Sequence, residues 1–156
     1  MSNPAGQALS VSMRNLLPVE VAYTRCRVEQ AAGNFSDQIR DGFQTVKDWL
    51  MQQGYDLAGL RVIGVPQVID SQLKSYDCCV ELPEPVQVNT ETIQTKNLAG
   101  GQYAVLTLEK DSASISDSIG RFFGEYVPEH QLAIDNDRPS YEIYYEHIME
   151  FCVPIR

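Results

Sequence analysis

Residues 19–27, VEVAYTRCR, are rich in side chains that favour extended backbone, and they predict a strand. The segment AGNFSD that follows supplies turn residues and a helix N-cap, either Asn34 or Ser36. An amphipathic helix is predicted over residues 37–54, because apolar side chains recur there at helical spacing. Two more strands are predicted in LRVIGVPQV and SYDCCVEL. The order of elements is therefore strand, helix, strand, strand.

The second half of the chain repeats this order. A strand is predicted in GGQYAVLTLE, a helix over residues 112–127, and two closing strands in SYEIYYEH and MEFCVPI. This similarity predicts an internal duplication, with repeats over about residues 8–83 and about residues 91–156. The residues that align are Ala22 with Ala104, Trp49 with Tyr126, Leu50 with Val127, Gly64 with Glu142 and Cys79 with Cys152.

The join between the repeats is the Pro-rich, polar segment PEPVQVNTET, residues 83–92. A join this short predicts that the halves pack together as a single domain over residues 1–156. We therefore expect an α+β fold with two pseudo-symmetric β-α-β-β repeats, each with an antiparallel sheet covered by one helix. Joining the halves creates a central cleft, and ligands favour clefts between units.

The composition narrows the range of functions. The chain has 156 residues and a formal net charge of −9, which disfavours a DNA-binding surface because phosphate neutralisation dominates that affinity. No apolar run is long enough to span a membrane and the first fifteen residues lack a signal-peptide core, so a cytoplasmic protein is expected. The four cysteines and two histidines show no metal-ligand spacing, and neither a metal nor a cofactor is predicted.

The strand SYEIYYEH, residues 140–147, contains acids among bulky side chains. Alternation places Glu142, Tyr144 and Glu146 on one face and aromatic or aliphatic residues on the other, so both faces are expected to be largely buried. A buried carboxylate is costly without a partner. The partner of Glu142 is either a bound cation or an arginine of the chain, Arg25, Arg27 or Arg138; the remaining alternative is that the carboxylate is exposed.

Several short motifs in this order resemble the GyrI-like small-molecule binding domain. They are LAGGQYAVL, VPEH, RPSYEIYY and FCVPI in the second half, and NFSDQI, DWLMQQG, IGVPQVID and YDCCVELP in the first. The resemblance extends from about residue 8 to the end. The same family supplies the effector-binding halves of many AraC-type and MerR-type transcription regulators.

The resemblance implies a binding site for hydrophobic cationic small molecules. The family's buried acid corresponds to Glu142, with Tyr144 on the same face, and its helix aromatic corresponds to Trp49, with Tyr126 as the counterpart in the second half. Phe123 and Glu146 complete the expected ligand-binding residues. Core packing is the alternative for Trp49 and solvation the alternative for Glu146. The chain departs from the family pattern at Pro66, Asn34 and Gln131.

The expected function is that of a binding module for sensing or sequestration, without catalytic residues. Too few residues precede the module for a helix-turn-helix, so no direct DNA binding is expected, and a protein partner would be a DNA-binding regulator or gyrase. One alternative is a hydrolase of electrophilic small molecules that uses Glu142 as a base. The other is an inhibitor that acts by protein interaction, in the manner of the gyrase-inhibitor protein.

Overall fold

The computed structural model describes residues 9–30, 33–88, 90–110 and 112–156. Helix α1 spans Phe35–Gln52, α2 spans Ser112–Arg121, and a π-helical turn at Phe122–Tyr126 connects α2 to the short α3 at Val127–Glu129. The strands are β1 (Val11–Leu16), β2 (Val19–Arg27), β3 (Val62–Ile69), β4 (Gln72–Glu81), β5 (Gln94–Leu98), β6 (Gly101–Glu109), β7 (Tyr141–Tyr144) and β8 (Ile148–Pro154).

The eight strands form one curled sheet in the order β1-β6-β8-β7-β3-β4-β2-β5. Every neighbouring pair is antiparallel, so the predicted α+β fold with antiparallel strands is confirmed. The expectation of a separate sheet in each half is wrong, because β3 pairs with β7 over Val62–Gly64 and joins the halves into one sheet. None of the described helices is long and apolar enough to cross a membrane.

The two outermost strands are the elements that the sequence pattern does not indicate. Strand β1, VSMRNL, and strand β5, QTKNL, contain several polar residues and little alternation. Each pairs with a strand of the other half of the chain, β1 with β6 and β5 with β2. Their extended conformation therefore depends on partners distant in sequence rather than on local propensity.

Helix α1 begins and ends near the predicted residues. The side chain of Asn34 accepts a hydrogen bond from the Ser36 backbone N–H at 2.8 Å, which identifies Asn34 as the N-cap. The helix ends at Gln52, and Gly54, just beyond the C-cap, adopts a φ of +91° that other residues disfavour. The second predicted helix, over residues 112–127, is not regular throughout, because its last turns widen at Phe122–Tyr126.

Apolar side chains pack on both faces of the sheet. One face holds a cluster in which Val21, Ile63 and Val105 have no exposed surface. On the other face, α1 covers the first half of the sheet around Val46 and Leu50, and α2 with its π-helical turn covers the second half. The helices therefore lie on one side of the sheet, above the strands that carry Gly64 and Glu142.

Gly42 allows α1 to lie close to the sheet. A Cβ atom at this position would lie 2.8 Å from the Cys78 Sγ and 2.9 Å from the Cys26 Sγ, closer than real Cβ contacts. Both thiols are buried. A glycine within a helix costs about 1 kcal/mol relative to alanine, and the close packing against the two sulfurs offsets that cost.

We expect Gly42→Ala to destabilise the protein by about 1–3 kcal/mol, because overpacking outweighs the gain in helix propensity. The matched control is Gly120→Ala in α2, where an added Cβ would meet no atom within 4 Å. That variant should gain up to about 1 kcal/mol. Urea unfolding of both variants measures the difference, and equal stabilisation by the two substitutions would contradict the close packing of α1.

Candidate functional site

Glu142 lies near the centre of the sheet, on the short strand β7. It is directly opposite Gly64 of β3 on one side and Phe151 of β8 on the other. Opposed residues of antiparallel strands point to the same face, so all three positions face the helix side of the sheet. The acid therefore lies where the two halves of the chain meet.

Tyr76 reaches Glu142 by crossing over Gly64. A Cβ atom at position 64 would lie 1.8 Å from the Tyr76 Oη, so any side chain there would occupy the place of the tyrosine hydroxyl. Tyr76 is 5% exposed, and its hydroxyl donates to the Glu142 Oε1 at 2.5 Å. The absence of a side chain at Gly64 thus permits a contact between β4 of the first half and β7 of the second.

A second hydroxyl shares the same carboxylate oxygen. The Tyr144 Oη donates to the Glu142 Oε1 at 2.8 Å and lies 2.8 Å from the Tyr76 Oη. Two hydroxyl protons cannot fill all three contacts, so both tyrosines direct their protons toward the acid or one relays through the other. The other oxygen, Oε2, accepts no hydrogen bond from any described residue and is not enclosed. It is available to a ligand.

The carboxylate of Glu142 has no basic partner among the described residues. The arginines considered from the sequence lie elsewhere: Arg25 bonds to Asp77 at 2.7 Å and Arg138 bonds to Asp135 at 2.8 Å. No ion pair within the described part of the chain joins Arg27 to Glu142 either. Two neutral hydroxyls therefore hold the acid without neutralising its charge.

Both tyrosines are held in their neutral, donating form. Burial raises the pKa of Tyr76 far above its usual value of about 10, and the neighbouring Glu142 carboxylate raises it further. The pKa of Tyr144 is raised for the same two reasons, burial first. At neutral pH these side chains act as hydrogen-bond donors to the acid and not as bases.

A groove of about 360 Å³ runs between α1 and the strand that carries the acid. Phe43 of α1 lies edge-on to the Tyr76 and Tyr144 rings, with centroid distances of 6.1 and 5.9 Å. Val62 and Tyr144 line the groove beside Phe43. Basic side chains also line it: Arg40, Lys47 and Lys110. The groove therefore combines aromatic surfaces with a cationic rim, and Tyr144, which lines it, bonds to Glu142.

Phe123, in the π-helical turn that follows α2, lies on the same face of the sheet as Glu142. Its ring is edge-on to Phe151 at 6.0 Å, and Phe151 is the residue of β8 that lies opposite Glu142. Phe123 is 41% exposed, which is unusual for a large apolar side chain beside a core. Tyr126 lies deeper, stacked on Phe122 at 5.7 Å and on His130 at 3.8 Å.

Trp49 and Glu146 lie apart from this group. Trp49 is 9% exposed and packs in the cluster around Val46, Leu50 and Val80 at the other end of α1, so its role as a pocket wall stays a prediction. Glu146 follows the end of β7; its side chain is 88% exposed and lies 3.6 Å from His147. Glu142 and Tyr144, in contrast, are in direct contact as expected.

The roles of three residues in the site did not follow from the sequence: Tyr76, Phe43 and Gly64, whose missing side chain leaves room for Tyr76 to reach Glu142. Tyr76 shares a face with Cys78, but only the register of β4 against β3 shows that its ring reaches Glu142. The alignment of Gly64 with Glu142 was the one available signal. No group of three or more metal-ligating side chains is present in the part of the chain that the structure describes.

A sequence profile described as the GyrI-like small molecule binding domain matches residues 9–156. No curated protein matches the chain by sequence. Among solved structures, the C-terminal domain of EcmrR is similar, with a TM-score of 0.77 and 12% identity over 96% of this chain and 99% of that one. EcmrR in its complex with DNA has a TM-score of 0.72 and 11% identity over 95% of this chain. The chain spans 57% of the length of that DNA-bound protein.

Two other solved structures share the fold. SAV2435 bound to tetraphenylphosphonium has a TM-score of 0.57 and 16% identity, covering 94% of each chain. A hydrolase from Listeria innocua has a TM-score of 0.65 and 10% identity, covering 94% of this chain and 91% of that one. At such identities the likeness establishes the fold alone.

The buried hydroxyls predict a loss of stability in base. Because the folded-state pKa values of Tyr76 and Tyr144 are raised, their contribution is fully present below the unfolded tyrosine pKa of about 10 and is lost as pH rises above it. Between the unfolded and the folded pKa, each of these hydroxyls lowers the free energy of unfolding by roughly 1.4 kcal/mol for every unit that the pH rises.

Replacing both residues, Tyr76→Phe and Tyr144→Phe, should therefore flatten this dependence. Urea unfolding of parent and variant on either side of pH ~10 measures the two slopes. The absolute stability of the variant will also change, because hydrogen bonds to Glu142 are lost, but a uniform change does not alter the slope. Parallel pH profiles for parent and variant would contradict the assignment.

Proposed function

Because the chain belongs to the family of GyrI-like small-molecule binding domains, we propose that it binds hydrophobic cationic small molecules through Glu142, for sensing or sequestration. The observation that carries the proposal is the state of the carboxylate. Two tyrosine hydroxyls occupy its Oε1, whereas Oε2 has no partner among the described residues. A cation that reaches Oε2 would complete the coordination of a partly buried charge, which removes the cost of leaving it unpaired.

Aromatic rings supply the second part of the recognition. Phe43 and Tyr144 border the groove on the α1 side, and Phe123 lies beyond Phe151 on the α2 side. The face of an aromatic ring attracts a cation by roughly 0.5–2 kcal/mol, and flat rings accept ligands of different shapes. The structure of SAV2435 with tetraphenylphosphonium, a hydrophobic cation, is consistent with this ligand class for the shared fold.

We also infer that the two halves are pseudo-symmetric repeats around this site. The strand registers support the inference, because aligned residues occupy equivalent rungs. Tyr23 opposes Cys79 in the first half, and Val105 opposes Cys152 in the second. Likewise, Gly64 opposes Cys78, and Glu142 opposes Phe151. The acid thus occupies in the second repeat the position that glycine occupies in the first, so only one of these two equivalent positions carries a carboxylate.

The similar structures provide a general biological setting for the proposed function. EcmrR, a transcription regulator, contains this fold as its C-terminal domain, which supports a regulatory setting. We propose a cytoplasmic role in which a ligand-bound state acts through a protein partner, a DNA-binding regulator or gyrase being the candidates.

Hydrolysis of an electrophilic small molecule is the second candidate function. The Oε2 of Glu142, which the tyrosines leave open, could accept a proton from a water molecule that attacks a bound electrophile, and solvent could protonate the leaving atom. A fold neighbour from Listeria innocua is a hydrolase. Incubation with an epoxide, followed by mass spectrometry, tests this function: addition of water that disappears in Glu142→Gln supports it, and recovery of unchanged epoxide contradicts it.

Glu142→Gln should weaken the binding of tetraphenylphosphonium by about 1.5–3 kcal/mol, which is roughly tenfold to a hundredfold in Kd. The substitution keeps the shape and most of the hydrogen bonding but removes the charge. Neutral triphenylphosphine oxide should bind the variant as well as the parent. Isothermal titration of each compound into each protein gives the four affinities.

The matched control for this experiment is Glu146→Gln. It removes the same charge from a residue four positions along the chain whose side chain is 88% exposed, so cation binding should hardly change. Equal losses for the cation and the neutral compound, or equal losses in the two variants, would mean that Glu142 is structural. The emission of Trp49, the only tryptophan, followed in the same titrations, tests whether that residue lines the pocket.

A further inference from the structure

The groove beside Glu142 carries positive charge on its rim. Of its three basic side chains, Arg40 lies 3.3 Å from Asp37 and 3.8 Å from Asp41, so its charge is balanced. Lys47 and Lys110 form no ion pair with any residue that the structure describes. Unpaired cations converging on one groove are notable in a chain with a net charge of −9.

One tyrosine, Tyr144, lies next to both the cationic rim and the acid. The Lys110 Nζ is 6.0 Å from the centroid of the Tyr144 ring, and the hydroxyl of the same ring is 2.8 Å from the Glu142 Oε1. A ligand that lies along this ring is therefore near the positive charge over the ring and near the negative charge at its hydroxyl end. Lys47, one turn along α1 from Phe43, borders the same groove.

This arrangement does not favour a ligand with positive charge alone. A simple cation gains attraction from Glu142 but is repelled by two lysines, of which Lys47 is half-buried and Lys110 is exposed. Solvent and salt screen the repulsion less at the half-buried position. A ligand with both signs of charge, correctly spaced, turns the repulsion into attraction. The groove volume, about 360 Å³, suits a molecule of drug-like size.

We propose that the groove selects aromatic zwitterions: small molecules whose cationic centre meets Glu142 and whose carboxylate, sulfonate or phosphate meets Lys47 and Lys110. This selectivity rests on the proposed function, because it uses the same acid and the same aromatic surfaces. It narrows the ligand class from hydrophobic cations in general to those that also carry an anionic group.

Two dyes with one ring system test this selectivity. Rhodamine B has a free carboxylate and is a zwitterion at neutral pH, whereas its ethyl ester is a cation. Fluorescence polarisation at low ionic strength gives their affinities for the parent, Lys47→Gln, Lys110→Gln and the double variant. Lys74→Gln is the control, since it removes the same charge from a lysine that does not line the groove and that bonds to Gln72.

Rhodamine B should bind the parent more tightly than the ester does. Each groove substitution should weaken rhodamine B by about threefold, and the double variant by about tenfold, the range of partly exposed ion pairs. The ester should bind these variants equally well or more tightly, because a repulsion has been removed. Comparing the two dyes across variants cancels the effect of the extra ethyl group, and raising the salt concentration should reduce the difference.

Two results would overturn the selectivity without deciding the proposed function. Parallel changes for both dyes, or a loss of rhodamine B binding in Lys74→Gln as large as in the groove variants, would show that the lysines do not select an anionic group. The proposed function would survive that result if the ester still bound in a manner that depends on Glu142. Failure of both dyes to bind the parent would instead overturn the proposed function together with the selectivity.

Discussion

The pairing of β3 with β7 is the contact on which the remaining architecture depends. Only three residue pairs form it, with Val62, Ile63 and Gly64 opposite Tyr144, Ile143 and Glu142. This short ladder joins the strands of the two halves into one sheet and places the acid at the junction. Because Gly64 has no side chain, Tyr76 can cross the junction and bond to Glu142. The same three rungs therefore connect the halves and position the site.

The two outermost strands also join the halves of the chain, at the two edges of the sheet. Strand β1 belongs to the first half but pairs with β6, and β5 belongs to the second half but pairs with β2, so each half contributes a strand to the other. Ion pairs accompany the exchange: Arg14 of β1 bonds to Glu150, and Lys96 of β5 bonds to Asp77. Burial would raise the pKa of Asp77, but hydrogen bonds from Arg25 and Lys96 outweigh it and hold that pKa below its usual value.

Asp77 and Glu142 are both acids within the sheet, but the groups that bond to them differ in charge. On the face away from the helices, Asp77 is fully buried and bonded to two cations, so its charge is balanced within the fold. On the helix face and within the described part of the chain, Glu142 is bonded only to neutral hydroxyls, and Lys47 and Lys110 have no acidic partner. Charges balanced by the chain stabilise the fold, whereas charges left unbalanced beside a groove are available to a ligand.

The sequence by itself determined the parts of the protein that depend on local pattern. The helix α1, six of the eight strands, the α+β class and the acid at Glu142 with Tyr144 beside it all followed from periodicity, capping residues and short motifs. These features could be found because hydrophobic spacing and N-cap chemistry act over a few residues. The polar strands β1 and β5 did not follow, since they are extended only because distant strands pair with them.

Only the tertiary structure decided which side chains meet Glu142. Tyr76 is sixty-six residues away in sequence, and its contact depends on the register of β4, β3 and β7 and on the gap at Gly64. Phe43 and Lys47 come from α1, and Lys110 directly follows β6; no local pattern specifies the relative positions of these two elements. A one-residue slip in any of these strands would turn the corresponding side chains to the opposite face. Residue types could therefore suggest a buried acid, but strand register alone determined its partners.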